Sequence, residues 1–293
     1  MNEVNITNWK LYFPKLERAN LEEVNLSGLD LEGGDFSFAN LNKANLEGAD
    51  LTKVYLISAV LTEANLKKSW CNKTYFDRAW LRKANLMGGN FTGATFKSAN
   101  LEETNFEEAQ CGQTDRKLDN GMIGRSFAAD FSFSNLRKAN FKNADLNSVK
   151  FPRTDLEYAI FEGANLKNAI LDYANLSSAD FTKANLERAY LRRADLRIVN
   201  FKDANLKNAN LSGADLNSAK LEGGCFESAY LKNADLRFAH FYKGDFSKAN
   251  LESANLEGAD LSGVNFKDAN LKNANLSGAN LEGANLEGTD ILE

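Results

Sequence analysis

Residues 269–288 read ANLKN ANLSG ANLEG ANLEG, which is one five-residue unit repeated four times. The same phase runs from Ile6 to Ile291, and nearly every fifth residue along it is Leu or Phe, here called the centre of a pentad. Two residues before the centre the chain usually carries Ala, one before it Asn or Asp, and two polar or small residues follow. Such self-similarity is typical of repeat architectures. The apolar centre is lost at three positions, Arg116, Gly121 and Ser126.

A period of five fits neither the 3.6-residue period of an α-helix nor the two-residue period of a continuous strand. Ala, Asn and Leu in succession point in, out and in, as in a three-residue strand, and the remaining two residues must turn the chain. Thirteen of the 20 glycines occupy the last pentad position, where a turn requires positive φ. Four such sides predict a closed coil with Leu or Phe and Ala in its lumen, because a second large residue per side would not fit.

The phenylalanines test whether a coil has four sides. Fifteen of the 20 are pentad centres, and seven pairs of these are 20 residues apart. A coil of four pentads would stack the rings of each pair, which aromatic pairing favours. Two runs show the spacing: Phe141, Phe161, Phe181, Phe201 and Phe226, Phe246, Phe266.

The Ala-(Asp/Asn)-Leu-X-X unit resembles the motif of the pentapeptide-repeat family, and the resemblance covers residues 19–111 and 129–293. It is nearest to the family's large bacterial set, abundant in cyanobacteria. The resemblance implies an all-β fold, a right-handed quadrilateral parallel β-helix, here of about 13 coils. We expect one solenoid over 19–293 and an N-terminal cap over 1–18, because Trp9 and Pro14 stand there where a crowded lumen requires Ala.

Residues 112–128 break the pattern, and the phase afterwards is intact. Either about 15 residues leave the coil as a loop or the segment forms one irregular coil. A loop on a regular solenoid is a natural recognition element, and a tolerated surface insertion explains it equally well. The candidate partner-binding residues of this segment are Arg116, Lys117, Met122, Ile123 and Arg125.

Several outward positions hold apolar residues instead of Asn or Asp: Tyr55, Val60, Trp70, Tyr75, Trp80, Ile160, Ile170, Tyr190 and Tyr230. Members 20 residues apart lie on one side of the coils and form ladders. If 15 residues are extruded, Ile170, Tyr190 and Tyr230 share a column with Tyr55 and Tyr75; otherwise they align with Trp70. An exposed aromatic ladder favours a protein partner. The alternative is that the rings only stabilise the sides.

Residues suited to catalysis or metal binding are scarce. The single histidine, His240, takes an ordinary outward position; Cys71 and Cys111 are centres and therefore buried, and Cys225 points outward. The cysteine spacing matches no zinc motif, and we find no phosphate-binding loop. We therefore expect no enzyme, no cofactor and no metal site. With no apolar stretch of membrane length, no secretory leader and three cysteines, we expect a cytoplasmic protein.

The sequence thus favours a non-enzymatic interaction scaffold that presents a rod-like surface and a loop to an unidentified protein. The resemblance supplies an alternative, a DNA-mimic binder of DNA gyrase or topoisomerase. Mimicry requires acidic rows, whereas bases such as Lys67, Lys68, Arg82 and Lys83 interrupt them. The net charge of -5 argues against direct nucleic-acid binding. A C-terminal coil without a cap predicts homo-oligomers formed through that end.

Overall fold

The protein is a right-handed quadrilateral parallel β-helix, as the pentad pattern predicts. Its computed structural model describes residues 16–117 and 123–291, without the side chains of 115–117 and 123–125. Apart from residues 16–18, the predicted N-terminal cap lies outside this description. The chain divides into two compact units, residues 1–150 and 151–293. The described parts of these units hold six and seven coils, respectively.

Each corner is a β-turn of the two residues that follow a centre. The N–H of the next Ala closes the turn on the carbonyl of that centre, as from Ala39 to Phe36 over 3.0 Å. The last pentad position has positive φ, which is the signature of a type II turn. Thirteen glycines there have φ of 63–73°, and larger residues, including β-branched Ile198 with φ of 58°, adopt the same region.

Each side forms a single parallel bridge at its Asn or Asp position, shorter than the predicted three-residue strand. The Asn40 N–H donates to the Ala19 carbonyl in the coil before, and the Asn40 carbonyl accepts from the Leu21 N–H. At the two flanking positions, the Ala N–H and the centre carbonyl are both used in corner turns. Only the Asn or Asp residue therefore has both backbone groups available for its neighbouring coil.

The bridge register changes at the irregular segment. Bridged residues are 20 apart elsewhere, but Thr95 pairs with Asp130 and Gln110 pairs with Asp145, both 35 apart. Fifteen residues therefore leave the coil, which is the first of the two interpretations of this segment. Within them, β1 (Asp115–Lys117) pairs antiparallel with β2 (Ile123–Arg125). The described residues contain these two strands and no helix.

Phe rings stack in the lumen at the predicted spacing of 20 residues. Ring centroids are 4.6 Å apart between Phe161 and Phe181, 5.0 Å between Phe181 and Phe201, and 4.4 Å between Phe226 and Phe246. The ring of Phe266 is tilted by 46° against that of Phe246 and lies 5.7 Å away. These side chains and the lumen alanines exclude water almost completely.

Candidate functional site

Outward Asn and Asp residues are hydrogen-bonded within the repeat. The Oδ1 of Asn45 accepts the backbone N–H of Glu47 at 3.2 Å, and its Nδ2 donates to Asn25 Oδ1 at 3.1 Å. Asn65 donates to Asn45 in the same way. One side of the first unit, here called the amide side, repeats this pattern through Asn25, Asn45, Asn65, Asn85 and Asn105. Each side chain there satisfies a turn N–H and a neighbouring coil, which stabilises the repeat.

The other three sides of the first unit depart from this pattern. Tyr55 and Tyr75 share one column of bridged residues, Val60 and Trp80 share the next, and Trp70 lies in a third. None of these side chains has the oxygen that accepts the N–H two residues on. All five are exposed, Trp70 and Trp80 most of all, at 57% and 56%. The repeat therefore gives up a local hydrogen bond at each of these positions and leaves apolar surface in water.

Four of these residues flank one corner of the coils. Tyr55 and Tyr75 precede that corner, and Val60 and Trp80 follow it. Two further exposed rings, Phe38 and Phe133, stand on the corner itself, at its last pentad position. The six residues make a continuous apolar surface, which we name the aromatic edge: Phe38, Tyr55, Val60, Tyr75, Trp80 and Phe133.

Part of the edge is held by contacts within the protein. The rings of Tyr55 and Tyr75 stack with centroids 4.9 Å apart and planes 8° from parallel, and the guanidinium of Arg18 lies 5.5 Å from the Phe38 ring. Stacking of this kind stabilises neighbouring coils, as the second interpretation of the ladder expects. Trp80 has no such ring contact among the described residues. Its indole is therefore the largest uncovered group of the edge.

Sequence reasoning missed exposed rings at the corners. In addition to Phe38 and Phe133, these are Tyr158, Tyr173, Phe238 and Tyr242. A signal does exist, because a large corner residue is often followed 20 residues later by a small one. Gly258 shows why: a Cβ there would lie 2.8 Å from the Phe238 ring, which leans over the next coil.

The predicted residues of the second unit form a looser set. Ile170 and Tyr190 are bridged, and Tyr230 lies two coils beyond Tyr190 in the same column, separated by Asn210. Tyr190 and Tyr230 are exposed and Ile170 is half-buried, whereas Ile160 lies in another column. The alignment of this column with that of Tyr55 stays a prediction.

The hairpin presents the predicted loop residues only in outline. Arg116 pairs with Gly124 and Lys117 with Ile123 through the backbone, and Arg125 pairs with Asp115. The side chains of these predicted residues, and all of Met122, lie outside the described residues. At the foot of the hairpin Phe127 is 78% exposed, a ring that the sequence reasoning did not single out.

The thiols are predicted correctly in position. Cys71 and Cys111 are buried in the lumen and Cys225 is half-buried, all three as free thiols. Burial raises the pKa of Cys71 to about 12, against the opposing effect of its contact with the Ser69 hydroxyl, and burial also raises the pKa of Cys111. Thiols in this state are poor nucleophiles.

Within the described residues, no cluster of His, Cys, Asp and Glu is suited to a metal ion. No helix in that part of the chain has the length and apolar character of a membrane span. The last coil leaves its inward leucines, among them Leu276 and Leu281, only half-buried. The predicted self-association through this coil stays a prediction.

Charges in the second unit alternate in sign along the stacked coils. Lys167 Nζ lies 2.8 Å from a Glu187 carboxylate oxygen, and Lys207 Nζ lies 2.6 Å from one of Glu227. The hydrogen bond from Lys167 lowers the pKa of Glu187. Arg192 holds Asp172 with both Nε and Nη2, at 3.1 and 2.5 Å. Acids and bases on these columns neutralise each other locally.

The stacked pentads, the water-free lumen and the surface ladders define a class of protein, the quadrilateral β-helix repeat proteins. The family model for pentapeptide repeats matches in eight copies, over residues 19–56, 59–107, 127–197 and 199–268. The chain belongs to the pentapeptide-repeat family, whose members are generally structural or interaction proteins. A comparison with curated proteins found no significant match.

Among solved structures, the chain is similar to HetL of the cyanobacterium Nostoc sp. PCC 7120, a pentapeptide-repeat protein involved in heterocyst differentiation regulation. The identity is 25%, over 99% of this chain and 95% of HetL, with a TM-score of 0.26. It is also similar to trypsin-treated QnrB1, a plasmid-mediated fluoroquinolone resistance protein (15%, 79% and 90% covered, TM-score 0.41). Rfr23 of Cyanothece 51142 matches at 21% identity (67% and 88% covered, TM-score 0.23). These scores carry no argument about function.

Proposed function

We propose that the protein is a non-enzymatic interaction scaffold that binds another protein through the aromatic edge. The observation that carries the proposal is the exchange at Tyr55, Val60, Tyr75 and Trp80. Each gives up the hydrogen bond that Asn or Asp makes at the same position, and each exposes apolar surface. Interfaces are enriched in such exposed Tyr, Trp and Phe residues, grouped on a rigid surface.

The architecture suits this role. Every coil is bridged to its neighbour, so the rings of the edge are held at fixed spacing before a partner arrives. A preformed surface loses little conformational entropy on binding. The lumen offers no opening for a substrate among the described residues, because its side chains pack against one another. We place the scaffold in the cytoplasm, which its free thiols support.

A DNA-mimic binder of gyrase or topoisomerase remains the second candidate, and it ranks lower. A mimic of the phosphate backbone needs like charges in rows along the coils. The described columns of the second unit instead alternate, as in the series Lys167, Glu187, Lys207, Glu227. A gyrase supercoiling assay at micromolar protein tests this candidate, and strong inhibition would reverse the ranking.

Affinity capture from the native host tests the scaffold proposal. We expect the intact protein to recover a specific partner and the double variant Tyr75→Asn, Trp80→Asn to lose it. The matched control is Tyr158→Ser, which removes an exposed ring far along the chain from the edge. A variant without residues 114–128 separates the edge from the hairpin. Retention of the same partners by the double variant would refute the proposal.

A further inference from the structure

A hollow of about 440 Å³ interrupts the aromatic edge between Trp80 and Phe133. These two large side chains lie two coils apart, about 10 Å at a spacing of about 4.8 Å per coil. The coil between them carries only Ser98 and Asn100 at the matching positions. A large, small, large succession therefore leaves room for a side chain between two aromatic walls.

Arg78 is the one charged residue among the described residues that line this hollow. Its guanidinium makes no ion pair or hydrogen bond to any described residue. Arg82, one pentad further on, differs: it lies 3.4 Å from Glu102 and 3.5 Å from Glu103. The neighbouring Asp77 carboxylate already accepts the backbone N–H of Lys97 at 2.9 Å. Arg78 thus presents a planar set of donors that the protein itself leaves unused.

The amides of the hollow add donors of the same kind. Asn100 and Asn135 accept the N–H groups of Glu102 and Arg137 through Oδ1, at 3.2 and 3.1 Å. On the amide side, each Nδ2 donates to the Asn of the coil before. Asn100 cannot do so, because Trp80 occupies that place and has no acceptor. Among the described residues its Nδ2, like that of Asn135, has no acceptor.

We propose that the hollow binds a protein segment that places a carboxylate beside an apolar side chain. The carboxylate meets Arg78 and the two amide donors, and the apolar side chain lies between Trp80 and Phe133. Arginine and carboxylate match in charge and in geometry, and an aromatic wall covers the pair from water. This inference rests on the proposed function and names the chemistry of its partner.

The test is a fluorescence anisotropy titration of the full-length protein with the labelled octapeptide GSDFELGS. Matched probes are the neutral GSNFQLGS, the apolar-depleted GSDAEAGS and a ten-nucleotide oligothymidine. We expect GSDFELGS to bind below about 1 mM, and GSNFQLGS to bind about tenfold more weakly or worse, the value of a charge-assisted hydrogen bond. Removing the apolar side chains weakens binding as well.

Variants assign the binding to the hollow. Arg78→Gln lowers the affinity for GSDFELGS about tenfold, to that for GSNFQLGS, and Trp80→Ala weakens both peptides. The control Arg82→Gln, which removes an equal charge one pentad away, leaves both affinities unchanged. Circular dichroism and elution volume verify that each variant keeps its fold.

Three results overturn the inference: no binding of GSDFELGS, equal binding of GSDFELGS and GSNFQLGS, or stronger Arg78-dependent binding of oligothymidine. If the peptide fails but the Tyr75, Trp80 double variant still loses its captured partner, only the chemistry assigned to the hollow is wrong. If the peptide binds at Arg78 but the double variant keeps every captured partner, the proposed function is wrong instead.

Discussion

Removal of residues 114–128 is predicted to leave the β-helix intact. The structure already closes the corner behind these residues: the Ala129 N–H donates to the Cys111 carbonyl at 2.8 Å, the bond that closes every other corner. The Gln113 N–H donates to the Asn147 carbonyl at 2.9 Å, again as in a regular coil. Direct connection of Gln113 to Ala129 therefore gives a standard pentad between two centres, Cys111 and Phe131.

The size of the effect follows from loop closure. Holding the ends of a 15-residue loop together costs about 2 kcal/mol by the (3/2)RT ln n relation, and excision removes this cost. The hairpin contributes the short β1–β2 pairing and the bonds between Thr114 and Ser126, which are solvent-exposed and offset part of it. We expect the variant to unfold with a free energy between unchanged and about 2 kcal/mol higher.

Urea denaturation followed by tryptophan fluorescence measures this change, because Trp70 and Trp80 lie on neighbouring coils of the same unit. The control deletes five residues fewer, 119–128, which shortens the loop without restoring the regular corner. A loss of more than about 2 kcal/mol on removal of 114–128 would refute the reasoning, since it would show that the hairpin stabilises the coils.

Four other changes test separate parts of the structure. Phe96 stacks between Phe76 and Phe131 at 4.6 and 4.7 Å, so Phe96→Ala should cost about 4 kcal/mol and Phe96→Leu, which restores the commonest centre, about 1–2, measured by urea denaturation; equal losses would contradict the stacking. Ile198→Gly should raise stability by about 1 kcal/mol because it relieves a positive φ, whereas Ile198→Ala should not. A thiol reagent at pH 8 should modify at most one cysteine, Cys225, in the native protein and all three in urea, and rapid modification of Cys71 would disprove its burial. The hydrogen bond from Arg237 lowers the pKa of Asp235, so its stabilisation holds above the ordinary Asp pKa of 3.8 and disappears as pH falls through the lower folded value; Asp235→Asn should flatten the stability profile below pH 5, and an unchanged acid profile would contradict the pairing.

The sequence predicts most of this fold, because the pentad fixes the fate of each residue in it. Leu and Phe need a lumen, Ala leaves them room, and a turn after every third residue closes four sides. It predicts the side length less well, since the competition of corner turns for the Ala N–H and the centre carbonyl becomes visible only in the hydrogen bonds.

Residues 112–128 show a limit of phase arguments. An excursion of 15 residues equals three pentads, so the centres return in phase whether the residues leave the coil or not. The coil period of 20 distinguishes the two cases, and it shows only in the pairing of Thr95 with Asp130. The corner rings Phe38 and Phe133 were missed for a related reason, because their exposure depends on the neighbouring coil.

The candidate site was predicted in part. Tyr55, Val60, Tyr75 and Trp80 stand out in sequence because they replace Asn or Asp. Their union into one surface depends on the corner between the two columns, and the donors of Asn100 and Asn135 are unused only because Trp80 precedes them in the stack.

Site-specific photocrosslinking in living cells tests most directly whether the aromatic edge contacts another protein. A benzophenone amino acid is placed at Trp80 or Tyr55 on the edge, or at Asn85 on the amide side, and the cells are irradiated. We predict a discrete adduct of higher mass from the two edge positions and none from Asn85. Adducts of the same mass from all three positions, or none from the edge, would contradict a partner bound at this surface.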